Sequence, residues 1–408
     1  MRLAGLLAVA AVGILALAGC AGSRPAVLGS WDAPYPPRTP ADGEIDHIPT
    51  GLRMSFDNAM EMIAGARLVS IGETHDSLHA HRVELAVIRD LFRRFPGRIA
   101  IGMEMFREPQ QEALDRWTKG ELTEFEFLKT SKWYDNWGSD FGYYRDILDF
   151  AKENRIDVVA LNPSKELQRT VRIYGLDNVP ADLRARLPGI GEPDPYQKAV
   201  IKAVYGSHIP SEKFDAFFRV QLLWEETMAQ HVVDYLNSPR GEGKRIVTIT
   251  GGWHVRYGFG LPKKVLRRMP MPYVIVLAEE TSIPEEKKDQ LMDVDLPEVP
   301  LLPGDFVFYG PYEDLEGKRM RLGVQLVEHE GKVVVETVTE GSPAGKAGIL
   351  KGDEIISFDG QPVRETGDLV ILVGGKKEGD RATLVVRREG KEKSLEMTFF
   401  LLPKKKPH

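Results

Sequence analysis

The sequence contains a single cysteine, Cys20, and this scarcity excludes several kinds of chemistry. Cys20 lies at the end of an apolar N-terminal segment, so the rest of the chain has no thiol. Disulfides, a cysteine nucleophile, cysteine-ligated zinc and covalent haem attachment are therefore excluded. Any metal ion or haem would have to be held by His, Glu, Asp, Tyr or Met side chains.

An excess of positive charge and a second long apolar run are also missing. The formal net charge is −6, so the sequence lacks the basic surface that nucleic-acid binding requires, and we expect no nucleic-acid partner. After the N-terminal segment, no apolar run is long enough to cross a bilayer.

The first twenty residues predict export and lipid anchoring. Arg2 precedes the apolar run 3–17, and small residues then lead to Cys20, as in a secretory signal. The letters LAGC that end at Cys20 also resemble the lipobox of bacterial lipoproteins, which implies a lipid-modified cysteine. A plain signal peptide with a chance cysteine is the alternative. Ala21, where an Asp would retain the protein at the inner membrane, indicates outer-membrane sorting in the bacterial cell envelope.

Shifts in composition divide the chain into five predicted segments. They are a signal peptide over 1–19, a Pro-rich linker over 20–42, an α/β domain over 43–280, an acidic, Pro-containing linker over 281–317, and a small β-rich domain over 318–402.

In the predicted α/β domain, apolar strands alternate with amphipathic helices, which predicts a mainly parallel sheet with flanking helices. Polar residues stand at the ends of its strands. Glu73 and His75 follow the first strand, Glu104 the second, Asn162 the third and His254 the fourth. Ligands of open α/β sheets bind at this carboxyl edge, so we expect the five side chains to form one site. Taken singly, each has a structural explanation, such as an ion pair, a helix cap or a turn.

A long helix is predicted over residues 211–237, with Ser211 as its cap. Its apolar face includes one amide, Gln221. A buried amide needs hydrogen-bond partners, so we place Gln221 on the wall of the polar site.

The C-terminal segment resembles a PDZ domain of the type found in HtrA proteases. The resemblance rests on the letters RLGV at 321–324 and GSPAGKAGILKGDEIISFDGQPV at 341–363. It implies that a peptide pairs with the strand that begins at Val324, while backbone amides hold the peptide's C-terminal carboxylate. The implied peptide-binding residues are Leu322, Gly323, Val324, Leu326 and Leu369. A helix predicted over about 365–373 would form the other wall of the peptide groove. This groove helix lacks a His at its start, which favours an apolar C-terminal residue on the partner.

The α/β segment resembles the ChaN-like haem-binding lipoproteins, whose superfamily includes erythromycin-esterase-like, TraB and Tiki proteins. The motifs that carry this resemblance are GETH at 72–75, GMEMF at 102–106, WYDNWGSDFGYY at 133–144, QLLW at 221–224 and GGWH at 251–254. Each motif is short, and their order and spacing together make the match.

The resemblance implies, first, haem or iron binding at the interface of a homodimer, with a tyrosine as the iron ligand. Tyr143, Tyr144 and Tyr257 are the candidate tyrosines, and core packing is the alternative explanation for each. The remaining predicted haem-binding residues are His75, Asn162, Gln221 and His254.

Two other functions stay open. Glu73, His75, Glu104 and His254 could hold a divalent ion that activates water, as in a metal-dependent hydrolase. In the erythromycin-esterase type, the same residue types act as acid–base catalysts without a metal. Alternatively, the chain is a non-catalytic envelope adaptor, whose PDZ domain recruits envelope proteins by their C-termini or serves only as a spacer.

Overall fold

The computed structural model of the protein describes residues 39–206, 208–288, 301–315 and 320–401. The predicted signal peptide, Cys20, the start of the first linker and most of the acidic stretch of the second lie outside the described residues. No helix among the described residues has the length and apolar character needed to span a membrane.

The larger sheet has eight strands in the order β2-β1-β8-β7-β3-β6-β4-β5. Six of them, β3 to β8, pair in parallel, and the short strands β1 and β2 add an antiparallel edge beside β8. The predicted α/β class with a mainly parallel sheet is confirmed. The strands are β1 Ile45–His47, β2 Leu52–Arg53, β3 Leu68–Glu73, β4 Ile99–Arg107, β5 Asp157–Asn162, β6 Arg245–Gly251, β7 Tyr273–Ser282 and β8 Phe306–Pro311.

Helices cover both faces of this sheet because its strands are apolar on both sides. In β3, Val69 and Ile71 join the main core cluster, whereas Leu68 packs with Met228 and Val232 on the opposite face. The helices are α1 Phe56–Ile63, α2 Leu78–Arg94, α3 Gln111–Thr118, α4 Glu124–Ser131, α5 Trp133–Asn136, α6 Arg145–Glu153, α7 Lys165–Tyr174, α8 Ala181–Arg184, α9 Pro195–Tyr205, α10 Phe214–Asn237, α11 Leu261–Arg268 and α12 Glu285–Lys288.

Three local predictions need correction. The segment predicted as a linker over 281–317 contains β8, because its apolar residues Phe306, Val307 and Phe308 are buried beside β7 and β1. Glu104 lies inside β4 rather than after it, since pairing continues to Arg107. Ser211 does not cap α10, because it begins a separate turn of 3₁₀ helix, Ser211–Lys213, and makes no side-chain cap bond.

The C-terminal sheet is antiparallel and runs in the order β14-β13-β11-β10-β9, with β12 paired to β11. Its own apolar cluster includes Val335, Phe358 and Leu384. Strand β9 forms one edge, as the prediction of strand addition requires. The strands are β9 Val324–His329, β10 Lys332–Val338, β11 Glu354–Phe358, β12 Gln361–Pro362, β13 Arg381–Arg388 and β14 Lys391–Thr398, and the helices are α13 Pro343–Lys346 and α14 Thr366–Gly374.

Helix α14 also contacts the α/β part of the chain. Lys129 Nζ of α4 donates to Asp368 Oδ1 at 2.5 Å and lies 3.3 Å from Glu365 Oε1. Ile371 packs against the main core cluster of the larger sheet. The described residues from Ala41 onward therefore belong to one compact unit.

Candidate functional site

The carboxyl edge of the larger sheet gathers the residues that the sequence places at strand ends. Glu73 is the last residue of β3, and Asn162 is the last residue of β5. Glu104 projects from β4, and His254 ends a 3₁₀ turn that follows β6 directly. Because β3, β6, β4 and β5 are parallel neighbours, these four positions share one edge.

His75 is fixed by Glu73. Its Nδ1 donates to Glu73 Oε1 at 2.5 Å, and the Tyr144 hydroxyl donates to the same oxygen at 2.8 Å. The ring edge of Trp137 packs on the imidazole, with centroids 4.9 Å apart. The Glu73 side chain is fully buried, whereas 37% of the His75 side chain is exposed. His75 is therefore the accessible end of a buried hydrogen-bonded group.

Two members of this group were missed as site residues by the sequence interpretation. His81 Nδ1 lies 3.3 Å from Glu73 Oε2 and 3.0 Å from Glu84 Oε2, and all three side chains are buried. His81 and Glu84 lie three residues apart, on the first turns of α2 after the GETH motif. That spacing places them on the same face of the helix, which was the available signal.

A second buried group surrounds His254. Its Nε2 lies 3.5 Å from Glu104 Oε1, and Glu104 Oε2 accepts the Gly251 backbone N–H at 2.8 Å. On the other side of the ring, Nδ1 lies 3.0 Å from the Gln221 amide nitrogen and 3.3 Å from Glu225 Oε1. Gln221 thus lies beside His254, and its part in a binding site stays a prediction.

Glu225 extends this group into the protein interior, and it too was missed. Its carboxylate accepts from Lys264 Nζ at 2.7 Å and from Gln197 Nε2 at 2.6 Å. Both Glu225 and Lys264 are buried. The Glu225 carboxylate also accepts from the Gln221 amide, one helical turn earlier on α10, at 3.0 Å, and this spacing was the available signal; Gln197 of α9 and Lys264 of α11 are distant in sequence.

His75 connects the two groups. A Cβ atom added to Gly251 would lie 3.1 Å from His75 Nε2 and 3.7 Å from Glu104 Oε2. The imidazole therefore lies directly over Gly251, between the buried group around Glu73 and the buried group around His254. The absence of a side chain at Gly251 makes room for it.

The remaining predicted haem-binding residues have different surroundings. Asn162 donates to the Glu104 backbone carbonyl at 2.6 Å, so it supports β4. Tyr144 is wholly buried, and Tyr143 donates to Asp314 Oδ1 at 2.5 Å. Tyr257 is half-buried and adopts a left-handed backbone conformation with φ of 60°.

Burial and neighbouring charges shift the pKa values of several members of the two groups. Burial raises the pKa of Glu73, but the charge of His81 and the hydrogen bond from His75 outweigh it and hold that pKa at about 2. Burial together with the charge of Glu73 raises the pKa of Glu84 well above its usual value. Burial lowers the pKa of His254, but Glu104 and Glu225 raise it to about 10.

Within the described residues, one group of metal-capable side chains has its ligand atoms within 4.8 Å of one another: Glu73, His81 and Glu84. It shares only Glu73 with the four metal ligands predicted from the sequence. His75, Glu104 and His254 are close to it but do not belong to it.

Of the residues predicted to bind a peptide, 322–324 and Leu326 lie in β9 or the loop before it, and Leu369 lies in α14. The Gly323 carbonyl accepts from Thr339 N at 2.8 Å, and the Leu322 carbonyl accepts from Ala344 N at 3.0 Å. Gly323 has φ of 82°, and a Cβ atom there would lie 2.2 Å from Ser342 Cβ, so the loop requires glycine. Leu326 and Val324 pack against the apolar cluster of this sheet, and Leu369 is buried in it.

Comparison with known families is consistent with this arrangement. A family described as "Haem-binding uptake, Tiki superfamily, ChaN" matches residues 59–265, just over half of the chain. The chain belongs to the ChaN family. A second family, the PDZ domain, matches residues 320–398, so this ChaN protein carries a PDZ domain at its C-terminal side.

Known proteins resemble the two parts separately. A solved chain described as "Cofacial heme binding to ChaN of Campylobacter jejuni" is 14% identical, with a TM-score of 0.49, over 65% of this chain and 95% of that one. A DegP-like protein of Pseudomonas putida, named a probable periplasmic serine endoprotease, is 43% identical over 70 residues, which are 17% of this chain and 15% of that protein. The solved HtrA-type protease AlgW with decapeptide is 27% identical, with a TM-score of 0.20, over 21% of this chain and 30% of that one. This chain thus spans only about 15% of the length of the DegP-like relative, whose similarity falls on the PDZ region.

Proposed function

We propose that this ChaN-family protein is a haem-binding protein of the bacterial envelope, tethered by a lipid on Cys20, whose PDZ domain binds the C-termini of other envelope proteins. Membership of the ChaN family and the DegP-like relatives of the PDZ region support this assignment.

His75 carries the haem part of the proposal. Its Nδ1 is held by Glu73, while 37% of its side chain remains exposed. A carboxylate that accepts from one ring nitrogen fixes the orientation of an imidazole and makes the other nitrogen a better ligand. Bound haem would supply an iron centre that accepts a ligand atom from the protein.

Aromatic side chains beside His254 suit a flat, apolar macrocycle. Trp253, Tyr205 and Tyr257 are half-buried and pack against a small apolar cluster that contains Phe259. The Arg256 guanidinium lies 5.0 Å from the centre of the Trp253 ring and is paired with Glu279. Burial and the charges of Glu104 and Glu225 raise the pKa of Tyr205 to about 12.

Tyr257 is the tyrosine best suited to ligate iron. Tyr144 is enclosed and bonded to Glu73, and Tyr143 is bonded to Asp314. Among the described residues the Tyr257 hydroxyl makes no hydrogen bond, so of the three candidate tyrosines it alone is available as a ligand.

Haemin titration tests this assignment. We expect a shifted Soret band with the wild-type protein and a dissociation constant at least about tenfold higher in His75→Ala and in Tyr257→Phe. His208→Ala, at an exposed histidine, is the matched control and should bind like wild type. The predicted homodimer is checked in the same samples by light scattering with and without haemin. An unshifted Soret band would refute haem binding. An unchanged haemin affinity in both site variants would refute the assignment of His75 and Tyr257 as ligands.

The free edge of β9 supports peptide binding by strand addition. Fluorescence anisotropy with peptides that end in an apolar residue should show binding, and amidation of the C-terminus should abolish it. Leu326→Lys, on the groove side, should weaken binding at least about tenfold, whereas Val327→Lys, on the opposite face of β9, should not. Equal effects of the two variants would exclude this groove.

Lipid attachment can be tested directly in cells. Wild-type protein should incorporate labelled palmitate and partition with outer membranes, and Cys20→Ser should do neither. If Cys20→Ser is still membrane-bound, the tether is not at this cysteine.

Hydrolysis by acid–base catalysis is a second candidate function. The observation that favours it is the accessible His75, hydrogen-bonded to one buried carboxylate and close to another, Glu104. Such a histidine can act as a general base. Glu73→Gln should then abolish an ester or amide hydrolase activity of the pure protein, and a screen without any turnover would exclude this function.

A further inference from the structure

Three side chains behind His75 form an enclosed group, and two of them, His81 and Glu84, have no part in the proposed haem binding. Glu73 extends from the end of β3, and His81 and Glu84 come from the first turns of α2. The side chains of Glu73 and Glu84 have no exposed surface, and that of His81 has 4%. This set is called the trio below.

Two carboxylate oxygens in the trio lack hydrogen-bond partners. Glu73 Oε1 accepts from both His75 and Tyr144, but Glu73 Oε2 accepts no hydrogen bond. Glu84 Oε2 lies 3.0 Å from His81 Nδ1, but the buried Glu84 Oε1 has no hydrogen-bond partner. Burying unsatisfied carboxylate oxygens costs several kcal/mol, and two carboxylates in one enclosed space normally share a proton or bind a cation.

The orientation of His81 is one that a metal ligand would adopt. Its Nε2 donates to the His75 backbone carbonyl at 3.2 Å, which leaves Nδ1 directed at both carboxylates. Metal-binding histidines commonly use one ring nitrogen for the ion and donate the other N–H to a carbonyl or carboxylate.

The spacing of the ligand atoms also fits an ion. His81 Nδ1 lies 3.3 Å from Glu73 Oε2 and 3.0 Å from Glu84 Oε2, and one ligand atom from each side chain falls within 4.8 Å of the others. Around a tetrahedral ion with bonds of about 2.0–2.2 Å, neighbouring ligand atoms are separated by about 3.3–3.6 Å. The trio therefore needs little rearrangement to coordinate an ion.

We propose that Glu73, His81 and Glu84 bind one divalent first-row transition-metal ion. One imidazole nitrogen and two carboxylates form the mixed ligand set that suits ions such as Zn²⁺ and Mn²⁺. The ion links β3 to α2 and holds Glu73 Oε2, which leaves Oε1 to orient His75. This inference does not rest on haem binding, and it differs from a metal held by His75, Glu104 and His254.

Metal analysis of matched variants tests the site. Full-length protein is treated with EDTA, dialysed, reconstituted with Zn²⁺ or Mn²⁺ in separate samples, and analysed for bound metal by mass spectrometry. We expect one ion per wild-type chain and a dissociation constant at least about tenfold higher for Glu84→Gln and His81→Gln. Glu104→Gln also replaces a buried carboxylate next to His75, but it leaves the trio intact and should bind the ion like wild type.

Thermal melting shows whether the variants fold and gives a second readout. Zn²⁺ should raise the melting temperature of wild type and of Glu104→Gln but not that of Glu84→Gln. In EDTA, Glu84→Gln should melt at or above the wild-type temperature, because a neutral amide replaces one of two neighbouring carboxylates.

Three results would overturn the proposal: a wild-type protein that binds neither ion, an ion retained in Glu84→Gln, or an ion lost in Glu104→Gln. A wild-type protein without metal would mean that the two carboxylates share a proton. Loss of the ion in Glu104→Gln would assign it to the ligands predicted from the sequence, which are Glu73, His75, Glu104 and His254.

Discussion

His75 and Gly251 show how single residues determine the accessibility of the site. The His75 imidazole is oriented by its hydrogen bond to Glu73 and lies over Gly251, which has no side chain. Gly251 has φ of −53° and ψ of 141°, a conformation open to any residue, so its small size rather than its backbone freedom matters here.

Gly251→Ala should therefore affect binding more than folding. The added Cβ would lie 3.1 Å from His75 Nε2, so the ring must shift while the backbone stays in place. We expect haemin affinity to fall about tenfold and the free energy of unfolding to change by less than about 1.5 kcal/mol. Gly138→Ala, where a Cβ meets no atom within 4 Å, is the control. Equal affinities for the two variants in a haemin titration would contradict this role of Gly251.

The raised pKa of His254 predicts a loss of stability at alkaline pH. Burial lowers this pKa, but Glu104 and Glu225 raise it from 6.5 to about 10. The folded protein thus holds the proton more tightly than the unfolded chain. The resulting stabilisation is complete below pH 6.5 and disappears as the pH approaches 10. At 1.36 kcal/mol per pKa unit, its upper limit is about 5 kcal/mol.

Urea unfolding across this pH range measures the effect. Wild type should lose stability between pH 6.5 and 10, and His254→Gln should lose much less. His208→Gln, which changes an exposed histidine, should follow wild type. A wild-type profile that is flat over this range would show that His254 is neutral in the folded state.

At the scale of elements, helices α10 and α11 meet through a buried ion pair rather than through apolar contacts alone. Glu225 of α10 and Lys264 of α11 are bonded at 2.7 Å, with Gln197 of α9 on the same carboxylate. Three helices thus fix the carboxylate that faces His254 Nδ1. The packing of these helices therefore determines where the Glu225 carboxylate meets His254.

Lys264→Met should destabilise the protein by about 3–5 kcal/mol, because it leaves the Glu225 carboxylate buried without its cation. Adding Glu225→Gln should recover part of this loss. Lys263→Met, at the neighbouring exposed lysine that pairs with Asp194, should cost less than about 1 kcal/mol. Chemical unfolding of the four proteins gives these differences. A cost for Lys264→Met similar to that for Lys263→Met would contradict the importance of the buried pair.

At the scale of the whole molecule, the groove helix of the PDZ domain is also a contact of the ChaN domain. Asp368 accepts from Lys129 while its other oxygen accepts the Arg364 backbone N–H at 2.9 Å. The helix next to Lys129 leads to Trp137, which packs on His75. One short segment of chain, residues 129–137, thus contacts the groove helix at its start and the site at its end.

Lys129→Met should loosen the PDZ domain without unfolding it. It removes a partly buried ion pair worth about 1 kcal/mol but leaves Asp368 to cap its own helix. We expect faster hydrogen exchange in α14 and unchanged exchange in β3. Lys119→Met, at an exposed lysine, is the control. Unchanged exchange in α14 would show that this ion pair does not hold the domains together.

Much of the fold followed from local patterns. Apolar strands that alternate with amphipathic helices predicted the parallel sheet, and the GETH and GGWH motifs located Glu73, His75 and His254 at its edge. The PDZ domain was recognised from a long continuous motif. Strand β8 escaped prediction because its short apolar run stands beyond an acidic stretch, and only pairing with β7 and β1 makes it a strand.

The sequence by itself determined which chemistry is available: histidines and carboxylates at strand ends, and no thiol beyond Cys20. Only the tertiary structure decided how these side chains are grouped. Glu73 is bonded to His75 and close to His81 and Glu84, while His254 is surrounded by Glu104, Gln221 and Glu225 from other elements. The physical reason is that burial forces each charged or polar side chain to find partners wherever the packed helices and strands bring them. Those partners come from residues far apart in the chain, so no local pattern could identify them.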